Sequence, residues 1–295
     1  MSGAFVIWEI LLRGAAIGGL VATGAGLWRS DRQPVRIAGV LFTLSIISYI
    51  LNSSPTIHAE LGFARVPVNF LALGGAGFFW LFIVTLFEDR PLTPMNLAPA
   101  GLLTLVGLVG WIGRRRPEDP IWIIHNLIEA GFGANALYVI VQSWRGDLVE
   151  ARRRLRGPFL GVVTLYVIAL SGFEIGEGFG FHPAWYDVTA AAALALMCLG
   201  GTIVFLQAQP HLFGAAARAA PDADPSALDA GERLLLDRLD AMMDGEEAWR
   251  REGLTIGALA EQLGAPEHRL RRLINDHLGH RNFAAFVNAR RIAAA

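Results

Sequence analysis

A predicted helix near the C-terminus has one apolar face and one face that can bind nucleic acid. Its apolar residues recur at the three-to-four spacing of one helix side: Leu270, Leu273, Ile274 and Leu278. The opposite face carries His268, Arg269, Arg271, Arg272 and Asn275. In the major groove of DNA, arginine pairs with guanine and asparagine pairs with adenine. We therefore predict that these polar side chains contact DNA, provided that other elements hold the helix in place.

The residues around this helix predict a second helix and a tight turn. Thr255 can cap a short first helix, and Gly264 can end it because glycine adopts a left-handed conformation without strain. Pro266 suits the first position of the next helix, Gly279 ends that helix, and a third begins near Phe283. Two short helices joined by a glycine-containing turn form the helix-turn-helix layout, whose second helix enters the major groove. The same spacing also fits a solvated helical hairpin with ordinary surface arginines.

A second group of ionisable residues lies within apolar segments, where a charge is costly and therefore a candidate for function. Glu9 and Arg13 are four positions apart, as are His125 and Glu129, so each pair can meet on one helical turn. With Glu174, these residues are predicted to line an outward-facing sensor pocket. Because carboxylates outnumber fixed positive charges in this set, we expect a cationic molecule, a metal ion or a proton as the signal. The alternatives are a structural ion pair for Glu9 and Arg13, and a hydrated interfacial position for Glu174.

The elements that must position these residues are apolar helices. The chain has 295 residues, of which 54% are hydrophobic and only 17% are charged, whereas a soluble domain carries about 25% charged residues. Apolar segments of about 20 residues have the length of a membrane-spanning helix. Seven such segments cover residues 4–27, 35–51, 66–87, 95–112, 121–144, 158–175 and 183–206. We predict an all-α chain, with a seven-transmembrane helix bundle followed by a small cytoplasmic helix-turn-helix domain.

Composition and arginine placement divide and orient the chain. We assign residues 1–207 to the sensor domain, residues 208–225, rich in alanine, proline and aspartate, to a linker, and residues 226–295 to the helix-turn-helix domain. Loops on one side of the predicted membrane carry nine arginines and those on the other side carry four, and the arginine-rich side is normally cytoplasmic. This places the N-terminus outside and the C-terminal domain in the cytoplasm of a multi-pass protein in the bacterial inner membrane.

Missing residue types exclude several classes of protein. All 25 basic residues are arginine, so the chain cannot form the lysine Schiff base of a retinal protein or the lysine-containing phosphate loop of an NTPase. Cys198 is the single cysteine, which excludes a disulfide framework and a multi-cysteine zinc site. We expect no cofactor, no metal site and no enzymatic activity.

The C-terminal segment also carries a specific pattern of residue types. The pattern comprises Leu254-Thr255, Leu259-Ala260, Leu263-Gly264, Leu270-Arg271-Arg272-Leu273-Ile274-Asn275, Leu278-Gly279, Asn282-Phe283, Phe286-Val287-Asn288 and Arg290-Arg291-Ile292. In these residues the segment resembles the DNA-binding domain of the AraC family of bacterial transcription regulators, in particular members with a multi-span membrane sensor. The resemblance implies sequence-specific DNA binding.

Members of that family have two helix-turn-helix units joined by a long helix, and the residues around Arg291-Ile292-Ala293 resemble the start of that helix. The second unit does not follow in this sequence. We expect that the chain is truncated before it; the alternative is that one unit per subunit suffices in a dimer.

Together these patterns predict a membrane-bound one-component transcription regulator that senses an extracytoplasmic or membrane signal. Its expected partners are DNA, membrane lipid, a small signal molecule or ion, and a second copy of the chain, since paired modules read duplex half-sites.

Two alternatives remain open. One is a seven-span membrane hydrolase with an outward-facing zinc site at His58, His125 and His182, near Glu129 and Glu174, although no two of these histidines share a helix at ligand spacing. The other is a transporter with an accessory DNA-binding-like domain, which would also need a polar path through the inner half of the bundle.

Overall fold

The structure of the protein, a computed structural model, describes residues 3–29, 33–116, 119–144, 146, 148, 160–180, 186–207, 229–251, 253–280 and 282–293. These residues form thirteen α-helices, which confirms the all-α class. The predicted linker, residues 208–225, lies outside the described residues.

The chain divides into two compact units. The first comprises Met1–Ile140 and Leu155–Phe213, and the second comprises Val141–Arg154 and Gly214–Ala295. The first nine helices are α1 (Gly3–Trp28), α2 (Gln33–Asn52), α3 (Pro55–Glu60), α4 (Arg65–Leu73), α5 (Gly75–Phe87), α6 (Pro94–Ile112), α7 (Pro120–Trp144), α8 (Gly161–Gly178) and α9 (Tyr186–Gln207). The last four are α10 (Ala230–Asp240), α11 (Ile256–Gln262), α12 (Glu267–Arg272) and α13 (Phe283–Ala293).

Four helices are long and apolar enough to cross a membrane, namely α1, α2, α6 and α7. The stretch Gly62–Leu73 and α5 pass the same test together but are bent by 50° at Gly74, so a fifth span is available if this pair counts as one. Over the described residues, α8 and α9 provide only shorter apolar helices, Gly161–Gly176 and Val188–Ile203. The structure therefore supports a multi-pass protein with four to five candidate spans, where the sequence predicts seven.

The break between α4 and α5 occurs where two glycines let α6 approach closely. A Cβ atom at Gly74 would lie 2.8 Å from the Thr104 hydroxyl oxygen, and one at Gly77 would lie 2.7 Å from the carbonyl carbon of Pro99. Small residues at such positions allow transmembrane helices to pack backbone against backbone. The hydropathy of the third predicted segment, 66–87, does not show this break because no charged residue interrupts the segment.

Helices α1 and α9 are joined by a small polar contact. The Thr202 hydroxyl oxygen lies 2.8 Å from the Gly19 carbonyl oxygen and 2.9 Å from the Thr23 hydroxyl oxygen. A Cβ atom at Gly19 would lie 2.9 Å from the Thr202 hydroxyl oxygen. Because Gly19 has no side chain, α1 and α9 lie close enough for Thr202 to form these hydrogen bonds within the apolar bundle.

The second unit has its own apolar core. Its fully buried side chains come from α10, α11, α12 and the turns after α10 and α12, and they include Leu239, Met243, Leu259, Leu270 and Ile274. Residues before the predicted domain boundary also contribute. Leu148 is buried in this core, and the Phe283 backbone N–H donates to the Gly146 carbonyl at 2.9 Å. The unit thus includes residues from the segment that the sequence analysis assigns to the sensor domain.

Helices α10 and α13 are held together by Arg290. Its guanidinium donates to the carboxylate of Asp240 at 3.1 Å and also to that of Asp244. The hydrogen bond to Asp244 contributes most to raising the pKa of Arg290 above its ordinary value. This contact fixes the last turn of α13 to the end of α10 and to the turn after it.

The structure contains two short helices, α11 and α12, with a glycine-containing turn between them, where the sequence predicts two helices and a tight turn. The Thr255 hydroxyl accepts the Ala258 backbone N–H at 3.2 Å and so caps α11. Gly264 has φ +62° and Gly279 has φ +73°, so both glycines adopt the left-handed conformation that ends a helix. Pro266 is the residue before α12 rather than its first helical position.

Candidate functional site

The predicted DNA-contacting face is formed by α12 and the π-helical turn Leu273–His277 that follows it. His268, Arg269 and Arg272 are exposed. Asn275 is half-buried, and its amide nitrogen donates to the carboxylate of Asp276 at 2.7 Å. These side chains are held on one side of α12 because Leu270, Leu273 and Ile274 anchor the other side in the core.

Arg271 departs from the prediction that it lies on the exposed face. Only 7% of its surface is accessible, and its Nε donates to the Glu267 carboxylate at 2.8 Å. The reason is helical geometry, because residue 271 lies about 60° around the helix from Ile274, at the edge of the apolar face, so its side chain can run along the core. Its aliphatic stem packs while its charged end reaches the carboxylate one turn earlier. The members of the predicted set that are exposed or half-buried are therefore His268, Arg269, Arg272 and Asn275.

The α12 face borders a groove that the sequence analysis does not predict. Arg269 and Arg272 line this groove, of about 250 Å³, together with Arg238 of α10 and with Asp229 and Glu232 at the start of α10. Sequence spacing relates residues within one helix, so it could not show that α10 lies beside α12. We call this feature the α10–α12 groove.

In the first unit, Glu9 and Arg13 form a saturated buried pair. Each is 2% exposed, and the Arg13 Nε donates to the Glu9 carboxylate at 3.0 Å. The Arg13 Nη1 also donates to the Ile50 carbonyl at 2.8 Å and to the Ser53 hydroxyl at 2.7 Å. Arg13 thus neutralises the C-terminal end of α2, where carbonyl groups lack helical partners. These contacts favour the structural alternative for this pair over a place in the sensor pocket.

His125 lies at the break between α4 and α5. It is 4% exposed, and its Nε2 lies 3.2 Å from the Leu73 carbonyl oxygen, which ends α4. Its Nδ1 lies 3.4 Å from the side-chain oxygen of Asn126, and its ring meets that of Trp122 edge-on. The imidazole therefore contacts the Leu73 carbonyl group, which lacks its usual helical partner because the helix breaks at Gly74.

Glu129 and Glu174 are the two sensor candidates that the structure brings together. They are half-buried on α7 and α8, and their carboxylates lie within range of mutual repulsion. The Tyr49 hydroxyl on α2 donates to the Glu174 carboxylate at 3.2 Å. Among the described residues, no hydrogen bond or ion pair joins these carboxylates to His125, Glu9 or Arg13. The described contacts therefore pair Glu9 with Arg13 and bring Glu129 near Glu174, but they do not link these pairs to each other or to His125.

The residues of the hydrolase alternative do not assemble in the described part of the chain. His58 lies on α3, where burial and the neighbouring Arg65 lower the pKa of its imidazole. His182 lies outside the described residues. Over the described residues, no three histidine, cysteine, aspartate or glutamate side chains are grouped to hold a metal ion.

No protein family, curated protein sequence or solved structure matches the chain.

Proposed function

We propose that the chain is a membrane-bound one-component transcription regulator of AraC-like type, in which a seven-transmembrane sensor controls a DNA-binding C-terminal unit. The observation that carries this proposal is α12. It presents exposed His268, Arg269 and Arg272 on the second helix of a helix-turn-helix pair that has its own apolar core. An exposed basic face on this helix is what major-groove reading requires.

In this proposal α12 lies in the major groove and its polar side chains read base edges. A guanidinium from Arg269 or Arg272 donates to O6 and N7 of guanine, and Asn275 forms a paired contact with adenine. Asn275 would exchange its present bond to Asp276 for that contact. Each correct pair contributes about 1–3 kcal/mol of discrimination against the wrong base. Arg271 is not part of the reading set, since Glu267 holds its guanidinium.

The proposed membrane domain has seven spans, of which three are shorter or bent crossings of the membrane. α4 and α5 would cross together as the third span, and α8 and α9 would be the sixth and seventh. An odd number of crossings places the two ends of the bundle on opposite sides of the membrane. With the N-terminus outside, as the arginine distribution favours, the C-terminal unit lies in the bacterial cytoplasm, where DNA is accessible.

The proposed signal site is the pair Glu129 and Glu174, next to Tyr49. Two neighbouring carboxylates repel each other unless a proton or a cation shields them. A cationic molecule, a metal ion or a proton from outside would therefore favour an arrangement with α7 and α8 closer together. A signal that binds one arrangement of the bundle more tightly shifts the population towards it. A homodimer of the chain would present two α12 helices to paired half-sites.

The DNA-binding part is tested by selection from a random-sequence duplex pool, using the full chain in phosphatidylcholine nanodiscs. We expect a preferred motif, and we expect Arg269→Ala and Arg272→Ala to relax it at single base pairs by about ten- to hundredfold. Arg233→Ala is the control, because Arg233 is exposed on α10 but does not line the α10–α12 groove. Failure to bind any duplex, or an unchanged motif in a variant lacking Arg269, Arg272 and Asn275, would show that α12 is not the reader.

The sensor part is tested with Glu129→Gln in cells that carry a reporter behind the selected motif. Glutamine keeps the size and hydrogen bonding of the side chain but removes its charge, so the response to outside pH or to added cations should be lost. Glu60→Gln is the control, since Glu60 is exposed on α3. A normal response of the Glu129→Gln chain at normal abundance would exclude Glu129 from signal detection.

A further inference from the structure

The α10–α12 groove gathers three arginines from two helices. Arg238 comes from the last turn of α10, and Arg269 and Arg272 come from α12. All three side chains are exposed, and within the described part of the chain none of their guanidinium groups has a hydrogen bond or an ion pair. This distinguishes them from Arg271 and Arg290 of the same unit, whose guanidinium groups are held by carboxylates.

The acidic residues of the groove do not neutralise these arginines. Asp229 and Glu232 form a capping box at the start of α10: the Asp229 carboxylate accepts the Glu232 backbone N–H at 2.6 Å, and the Glu232 carboxylate accepts the Asp229 backbone N–H at 3.2 Å. Arg238 lies six residues after Glu232, which is about 9 Å along the helix at 1.5 Å per residue. Along α10, the acidic residues therefore lie at one end of the groove and Arg238 lies at the other, which we call its basic end.

The size of a helix decides what Arg238 can reach when α12 binds DNA. A helix with its side chains is about 10–12 Å across and the major groove is about 12 Å wide, so α12 fills it. A neighbouring helix that lies beside α12, and not behind it, then faces the sugar–phosphate strand that borders the groove. A guanidinium on that helix meets phosphate oxygens, to which its planar fork of donors is matched.

We infer that Arg238, at the basic end of the α10–α12 groove, binds a phosphodiester group of the DNA backbone beside the major groove that holds α12. This inference rests on the proposed DNA-binding function and adds to it a residue outside the helix-turn-helix pair. Arg238 fixes the position of α12 along the groove and contributes affinity without reading sequence, because every base pair carries the same phosphates. Arg269 and Arg272 remain available for base edges.

The test measures binding of the full chain in phosphatidylcholine nanodiscs to fluorescent duplexes, one with the selected motif and one of scrambled sequence, by anisotropy at several salt concentrations. Arg238→Ala should weaken binding of both duplexes alike, by about three- to tenfold at low salt. The slope of log affinity against log salt should fall by about 0.9, the value for one lost phosphate contact. Arg233→Ala should change neither quantity, and Arg238→Lys should keep most of the slope because it keeps the charge.

Each other outcome overturns a defined statement. If the unchanged chain binds DNA and Arg238→Ala behaves like Arg233→Ala, Arg238 does not contact the backbone and the proposed function stands. If Arg238→Ala alters the motif, Arg238 reads bases and the phosphate assignment is wrong. If inorganic phosphate at constant ionic strength displaces duplex from the unchanged chain but not from Arg238→Ala, the groove binds a free anion instead. If the unchanged chain binds no duplex, the proposed function fails and the inference fails with it.

Discussion

The close approach of α5 to α6 predicts a strong effect of adding one methyl group at Gly77. A Cβ atom there would lie 2.7 Å from the carbonyl carbon of Pro99 and still closer to the backbone nitrogen and Cα of Ala100. Favourable contacts between carbon atoms lie at about 3.5–4.0 Å, so the two helices would have to separate by about 1 Å. Backbone atoms cannot rotate out of the way as a flexible side chain could.

The magnitude follows from two opposing terms. Alanine is better than glycine in a helix by about 1 kcal/mol. Overpacking costs about 1–3 kcal/mol, and a clash with backbone belongs at the upper end. The Gly75→Ala variant isolates the first term, because a Cβ atom at Gly75 meets nothing within 4 Å. We therefore expect Gly77→Ala to be about 3 kcal/mol less stable than Gly75→Ala.

The assay is the apparent unfolding temperature of the full chain in detergent, followed by size-exclusion chromatography after heating each variant by the same protocol. For a unit of about 200 residues, 1 kcal/mol corresponds to about 2–4 °C, so the two variants should differ by about 6–12 °C. Equal unfolding temperatures for Gly75→Ala and Gly77→Ala would refute the backbone contact between α5 and α6. The close packing of α6 against Gly74 and Gly77 would then not account for the bend at Gly74.

Three further predictions concern charged residues. Arg13→Gln should lower stability by about 3–5 kcal/mol, because it leaves the buried Glu9 without its partner, and adding Glu9→Gln should recover part of the apparent unfolding temperature. Arg290→Gln should lower the stability of the second unit by about 1 kcal/mol, because its carboxylate partners are largely exposed. The loss of stability should be smaller at high salt, and thermal unfolding at two salt concentrations measures this difference. Glu232→Gln keeps a residue type that can form the capping box, but it removes a negative charge from the α10–α12 groove. This variant should therefore bind scrambled duplex more tightly than the unchanged chain does. Glu261→Gln on α11, which removes the same charge outside the groove, is the control and should have less effect.

Local features of the helix-turn-helix pair could be predicted from the sequence because they depend on neighbouring residues. Thr255 caps α11 through its own hydroxyl, and Gly264 and Gly279 take the left-handed conformation that their positions require. Apolar periodicity likewise identified Leu270 and Ile274 as core residues. The all-α class followed from composition and from the lengths of the apolar segments.

Features that depend on contacts distant in sequence could not be predicted in this way. The partners of Arg13 at Ile50 and Ser53 lie on α2 and in the turn after it, so the sequence shows only its possible pairing with Glu9. The break at Gly74 reflects the approach of α6, which hydropathy does not record. The burial of Arg271 required the exact rotation of α12 on its core, because position 271 lies at the boundary between the two faces.

The arginines show that the surroundings of a residue decide its role more than its type or spacing does. Arg13, Arg271 and Arg290 are each saturated by carboxylates or by carbonyl groups, and their charge is used within the fold. Among the residues that the structure describes, the guanidinium groups of Arg238, Arg269 and Arg272 have no such partners, and they line the same groove. Because like charges repel one another, grouping these three arginines destabilises the fold. A soluble surface does not need this grouping, since arginines spread apart would serve solubility equally well. The grouping concentrates positive potential beside α12, where a polyanion would remove the repulsion and gain the contacts.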